Sequence, residues 1–129
     1  MKFYRILYLL VLSSTLHSKR PCDALSLRAL DKITATTSSL YLKTGEVVTF
    51  GPLIITLHTC WVNDPEDPLE TIAFLDIKEK KISRIVSLFE GWMFASQPAL
   101  SALEHPVYDI WVDRGFEESE TKDKEIIEP

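Results

Sequence analysis

Apolar and polar residues alternate along most of this chain, at the period of two that sends successive side chains to opposite faces of a strand. Leu25, Leu27 and Ala29 alternate with Ser26, Arg28 and Leu30, which predicts a half-buried strand. Residues 34–39 are small and polar and predict a strand or a connecting loop. Residues 40–42 and 46–50 flank Lys43, Thr44 and Gly45, a short turn carrying a glycine, and this pair predicts a hairpin. Gly51 and Pro52 then break the chain. The strongest strand signal covers residues 53–62, where branched residues are dense. Straight alternation puts Leu53, Ile55, Leu57 and Trp61 on one face, and Thr56, His58 and Cys60 on the other.

Residues 63–68, with two prolines and three acids, cannot continue a ladder and predict an exposed loop. In residues 71–77, Ile72 and Phe74 share one face while Ala73, Leu75 and Ile77 share the other. Apolar residues on both faces predict a central strand. Residues 78–81 form a charged turn, residues 82–89 alternate weakly, and residues 91–94 resume as a strand after a bend at Gly91. Ser96 is placed to cap a short helix opening near Pro98, carried by Ala99, Leu100, Ala102 and Leu103 and ended at His105 and Pro106. The final strand covers residues 107–113, with Tyr108, Ile110 and Val112 opposite Val107 and Trp111. The sum is an all-β fold, a small β-sandwich or barrel of about seven short strands with one short helix before the last strand.

The N-terminus departs from this pattern. Lys2 and Arg5 precede a continuous apolar run at 6–12, and Ser13, Ser14, Thr15 and Ser18 follow. This is the three-part pattern of a secretory signal. The run is short for a spanning helix, which needs about 20 residues. Two readings stand: a signal peptide over 1–18 that is cleaved, or an uncleaved anchor, the membrane then being touched through this segment alone. Periplasmic export is the expectation either way. Residues 19–24 read as an N-terminal arm, residues 25–115 as the β-rich domain, and residues 116–129, acidic and poor in aromatics, as a disordered tail.

Hydrophobic residues make up 46% and charged residues 26% of the 129-residue chain. That is ordinary for a globular domain and excludes collagen-like and disulfide-dense classes. The net charge of −5 becomes more negative still once Lys2 and Arg5 leave with the signal. An acidic domain with an acidic tail does not suit nucleic acid, which requires clustered Lys and Arg.

Cys22 and Cys60 are the two cysteines. In an oxidising compartment they could form a disulfide closing a loop of about 39 residues. Alternatively, Cys60 is a buried apolar group and Cys22 belongs to a loose arm. Two cysteines without a CxxC exclude a structural zinc site, and no cofactor or metal is expected.

Chemistry-bearing candidates are few. His58 and Cys60 would share a strand face, but catalytic pairs converge from different elements. Asp64, Glu66, Asp67 and Glu70 crowd one loop without a glycine or a calcium-ligand spacing, as in a solvated acidic loop. His105 with Glu104 or Asp109 could form an oriented acid–base pair, without any GxSxG motif to accompany it; its bland counterpart is a turn hydrogen bond. Trp92, Phe94, Tyr108 and Trp111 could fill a core or line a binding surface.

Several of these stretches resemble one family. The run Leu30-Asp-Lys-Ile-Thr34, the run Gly45-Glu-Val-Val-Thr-Phe-Gly51, Cys60, and above all the stretch at 91–112 with Gly91, Trp92, Pro98, His105, Pro106 and Trp111 are similar to the DUF2155 family of small exported alphaproteobacterial proteins. The resemblance covers about residues 25–113 and implies an exported, compact β-rich domain of unknown function. It brings no catalytic residues. It also implies a cysteine soon after the last tryptophan as partner for Cys60. Here Val112, Asp113, Arg114 and Gly115 stand instead, so either Cys22 substitutes or the bond is absent. The functional expectation is a non-catalytic periplasmic module that binds an envelope protein. The alternatives are a small hydrolase or lyase using His105 with Glu104 or Asp109, and a glycan-binding module stacking sugars on Trp92 or Trp111.

Overall fold

The computed structural model describes residues 19–63 and 69–117. The segment 1–18 expected to be a signal, most of the acidic loop and the tail beyond residue 117 lie outside the described residues. Within them the chain forms β1 (Lys19–Pro21), β2 (Ala24–Asp31), β3 (Thr36–Lys43), β4 (Val47–Phe50), β5 (Leu53–Asn63), β6 (Thr71–Lys80), β7 (Ile85–Phe94), a helical turn α1 (Pro98–Ser101), β8 (Leu103–Glu104) and β9 (Tyr108–Phe116). The strands make two antiparallel sheets. One has the order β3-β2-β9-β8; the other runs β1-β5-β6-β7, with β4 also paired to β5. β4 and β1 share one edge of β5, β4 at its Leu53 end and β1 at its Asn63 end. The result is a sandwich of two sheets and not a closed barrel.

Period-two patterning explains the core. Leu25, Leu27 and Ala29 of β2, Leu42 of β3, and Ile110 and Val112 of β9 are buried from one sheet. Leu53, Ile55 and Leu57 of β5, Ala73, Leu75 and Ile77 of β6, and Met93 of β7 are buried from the other. Burying each large aliphatic side chain contributes about 1.5–3 kcal/mol relative to exposure. β6 is the central strand its two apolar faces predicted, paired with β5 on one side and β7 on the other.

Several sequence expectations are corrected. The stretches flanking Lys43, Thr44 and Gly45 do not form a hairpin, because β3 pairs with β2 and β4 with β5. Their turn carries the chain from one sheet to the other. Gly45, at φ 84°, donates its N–H to the Leu57 carbonyl (2.7 Å), and Glu46 accepts the Lys43 N–H at 2.7 Å. Gly51 and Pro52 instead make the tight turn between β4 and β5, with Phe50 opposite Leu53. β7 runs straight through Gly91; its irregularity lies where Leu88 is extra between Ser87 and Phe89.

The expected short helix before the last strand does not form as such. α1 is a single four-residue turn without a side-chain cap, and β8 follows it. Ser96 does not cap it: its hydroxyl donates to Glu70, which also accepts the Ser96 and Thr71 N–H groups at 3.1 Å each. At the N-terminus, Lys19–Pro21 is a strand, and at the other end β9 extends through Phe116, which is buried.

At one end of the sandwich the two sheets are drawn together. Cys22, between β1 and β2, donates its N–H to the Cys60 carbonyl at 3.0 Å. The two Cα atoms are 5.3 Å apart with the sulfurs in bonding contact, the spacing that a disulfide spans. Of the outcomes the missing β9 cysteine left open, it is Cys22 that stands against Cys60. Beside this pair, the Gly115 N–H of β9 donates to the buried Thr71 hydroxyl of β6 at 3.0 Å. A Cβ on Gly115 would lie 2.8 Å from Val62 Cγ1 and 2.9 Å from Cys22 Sγ, so only glycine fits there without movement.

Two outcomes follow. Gly115→Ala lowers stability by about 1–3 kcal/mol through overpacking, read as a drop in the urea midpoint at unchanged slope. The unreduced protein has an intact mass lower by two hydrogens than the reduced one and resists alkylation until reductant is added; alkylation of the untreated protein at Cys60 would show that the bond is absent.

Candidate functional site

The local feature that builds the site is a bulge in β5. Leu57 stands opposite Leu75 and Thr59 opposite Phe74, leaving His58 as an extra, exposed residue. A one-residue insertion reverses the facing of everything beyond it. Cys60 therefore turns into the core and Trp61 turns out, the reverse of straight alternation.

Trp61 then joins a lateral row across the outer face of the five-stranded sheet. Pro21, Trp61, Ile72 and Phe94 stand opposite one another on β1, β5, β6 and β7. The next row is Thr59, Phe74 and Trp92. The Phe74 and Trp92 rings meet edge to face at 5.2 Å, and His58 lies 5.7 Å from Phe74. These contacts orient the rings without hiding them: Trp61 is 37%, Trp92 44% and Phe94 38% exposed. Single exposed apolar residues are ordinary, whereas a contiguous aromatic patch marks an interaction surface.

A polar row borders the aromatic half. Thr56, Asp76 and Glu90 stand opposite one another on β5, β6 and β7. The carboxylates of directly opposed Asp76 and Glu90 repel. Lys78 reaches Asp76 Oδ2 at 3.6 Å, while Asp76 Oδ1 is buried and has no hydrogen-bond partner.

The outer face of the other sheet differs. Arg28 and Asp113 pair at 3.7 Å, Lys32 and Asp109 at 2.9 Å, and Thr37, Ser39 and Tyr41 are exposed on the neighbouring β3.

The candidate aromatics thus divide. Trp92 and Phe94 share the outer face of the five-stranded sheet. Trp111 lies half-buried on the outer side of the opposite sheet, next to Arg28. Tyr108 points inward, packed against the core and edge-to-face on Phe50 at 5.5 Å. Trp61 and Phe74 were missed as site residues. Phe74 was legible on the Ile72 face of β6, but straight alternation groups Trp61 with Leu53, Ile55 and Leu57 because no sequence signal marks the bulge.

The proposed acid–base residues do not assemble as expected. His105 Nδ1 accepts the Val107 N–H at 3.1 Å, and Nε2 donates to Glu79 Oε2 at 3.2 Å. The tautomer follows from the backbone donor at Nδ1. Glu104 is exposed on β8, and Asp109 pairs with Lys32. The imidazole, stacked on Tyr108 at 5.6 Å, thus fastens the turn before β9 to β6 with both nitrogens engaged. Glu70 of the acidic loop is committed to Ser96 and Thr71, while Asp64, Glu66 and Asp67 lie outside the described residues. Among the described residues no three His, Cys, Asp or Glu side chains are grouped to hold a metal ion.

The family model described as an uncharacterized protein conserved in bacteria (DUF2155) matches residues 25–114. An uncharacterized protein of Rickettsia prowazekii (strain Madrid E) is 44% identical to this chain over 90 residues. That match covers 68% of this chain and 57% of the relative, so the chain spans little more than half the length of the curated relative it matches. No solved structure matches.

Surface and core rings separate by stability. Trp92→Ala and Trp61→Ala each cost about 1 kcal/mol or less, the value of a cross-strand pair. Tyr108→Ala costs about 3 kcal/mol because it opens a cavity against Phe50. Urea denaturation of the three variants reads the difference.

Proposed function

The chain belongs to the DUF2155 family, and on that premise we propose that it is an exported periplasmic interaction module, non-catalytic, which docks an envelope protein through the outer face of its five-stranded sheet. The observation that carries the reading is the joint exposure of Trp61, Trp92 and Phe94 beside Ile72 and Phe74. The core closes without these rings, so stability does not account for them. Large aromatic side chains dominate the energetics of protein interfaces because each buries a wide apolar area at little entropic cost. On the strands of the opposite sheet Tyr41 is the exposed ring, beside the Arg28–Asp113 and Lys32–Asp109 pairs, against three exposed rings on this face among the described residues.

Export is supported by the basic, apolar and small-residue succession of residues 1–18. It is supported as well by the bonding contact of Cys22 with Cys60, a pairing that persists in oxidising compartments. The non-catalytic part rests on His105, whose ring nitrogens are both engaged in holding a turn.

Cross-linking the tagged full chain in its own cells tests the reading. The wild type recovers a stoichiometric envelope partner, and the Trp61→Ala/Trp92→Ala variant loses it with its thermal midpoint within a few degrees of wild type. His105→Gln keeps it. A wild type recovered alone, or a partner retained by the double variant, would overturn the docking role.

A further inference from the structure

The docking face has a chemistry more specific than apolarity. Asp76 and Glu90 are direct cross-strand partners, which places two like charges within the short separation of opposed residues. Asp76 Oδ1 is buried without a hydrogen-bond partner. Its other oxygen has only the lysine two residues along the same strand, at 3.6 Å. Among the described residues no cation is paired with Glu90. Two opposed carboxylates sharing one neighbouring lysine are unfavourable in the free protein, and an incoming cation offsets their repulsion.

Position selects the kind of cation. Trp92 lies two residues from Glu90 on the same side of β7, about 7 Å along the strand. Phe74 occupies the same relation to Asp76 on β6 and braces the Trp92 ring edge-on. A planar guanidinium stacks on an exposed indole while its N–H fork meets carboxylates; a lysine ammonium satisfies the charge but lacks the flat face. β7 is an edge strand, paired only with β6 among the described residues. Trp92 and Glu90 thus stand at the rim of the sheet.

We propose that the segment docked on this face is protein that presents an arginine among apolar side chains, its guanidinium over Trp92 beside Asp76 and Glu90 and its apolar neighbours on Trp61 and Phe94. The inference rests on the docking role proposed above. The charge row is what favours a cationic protein segment over a glycan, whose neutral hydroxyls would leave the carboxylate repulsion in place and whose acidic groups would add to it.

The test exploits the three tryptophans. In 15N-labelled protein recovered from the envelope of cells expressing the full chain, the indole N–H signals of Trp61, Trp92 and Trp111 are followed by NMR. The probe is the peptide acetyl-Leu-Arg-Leu-Arg-Leu-amide. Its isosteric neutral control carries citrulline in place of arginine. Saturable shifts at Trp92 and Trp61 are expected, with Trp111 on the opposite sheet unmoved. Asp76→Asn/Glu90→Gln weakens binding about tenfold, through the loss of two charges beside Trp92, and the citrulline peptide is weakened alike. Equal binding of the two peptides, or undiminished binding by the neutralised variant, overturns the arginine assignment. So does a shift of Trp92 with chitotetraose and none with the arginine peptide, which would make the face a glycan site. If no probe moves Trp92 while the cross-linked partner still depends on Trp61 and Trp92, the arginine assignment alone fails. If that dependence is absent too, the docking role fails with it.

Discussion

A single extra residue, His58, decides which side chains of β5 meet the core and which meet solvent. Before it, Leu53, Ile55 and Leu57 face inward; after it the parity is reversed, and Cys60 faces inward while Trp61 faces out. Without the bulge, Cys60 would stand on the outer surface, away from Cys22, and the Trp61 indole would have to fit into a sandwich already filled by Leu75 and Met93. The covalent clamp and the aromatic face therefore depend on the same local irregularity. A strand bulge bends and twists its sheet as well as re-aiming side chains. Here the re-aiming is the consequence that matters.

The sandwich is tied at both ends by polar contacts that complement its apolar middle. At one end Cys22 meets Cys60, and Gly115 approaches so closely that its N–H reaches Thr71 across the sheets. At the other, His105 holds Glu79 of β6 while accepting the Val107 N–H. These contacts place the carboxylate–histidine pair in a fastening role. They also leave the two outer faces free to differ, one carrying ion pairs and the other aromatic rings next to Asp76 and Glu90. A protein of this size has a small core, so a wide exposed aromatic surface is costly to keep in solution unless it is covered in use.

Much of the architecture was legible in the chain. Period-two alternation located β2, β5, β6 and β9 and sorted their residues into two faces, failing in β5 only beyond His58, and apolarity on both sides of 71–77 marked β6 as central. The run of residues similar to DUF2155 proteins agreed with the family found by comparison over residues 25–114. Strand partners were less legible. A glycine turn between two strands predicts a hairpin from local propensity alone, yet β3 and β4 each had a longer partner elsewhere, and the turn became a crossing between sheets. The helix at 98–101 is a single turn, and Ser96, its expected cap, is bonded instead to Glu70, a residue 26 positions away.

The sequence by itself determined the all-β class, the alternation that fills the core and the family, because these depend on local periodicity and on residue runs. Tertiary structure alone decided the pairing of strands, the inward turn of Cys60 and the assembly of Trp61, Phe74, Trp92 and Phe94 into one face beside Asp76 and Glu90. Those outcomes depend on register between strands distant in the chain. A one-residue offset in that register moves a side chain from core to surface while leaving the composition of the strand unchanged.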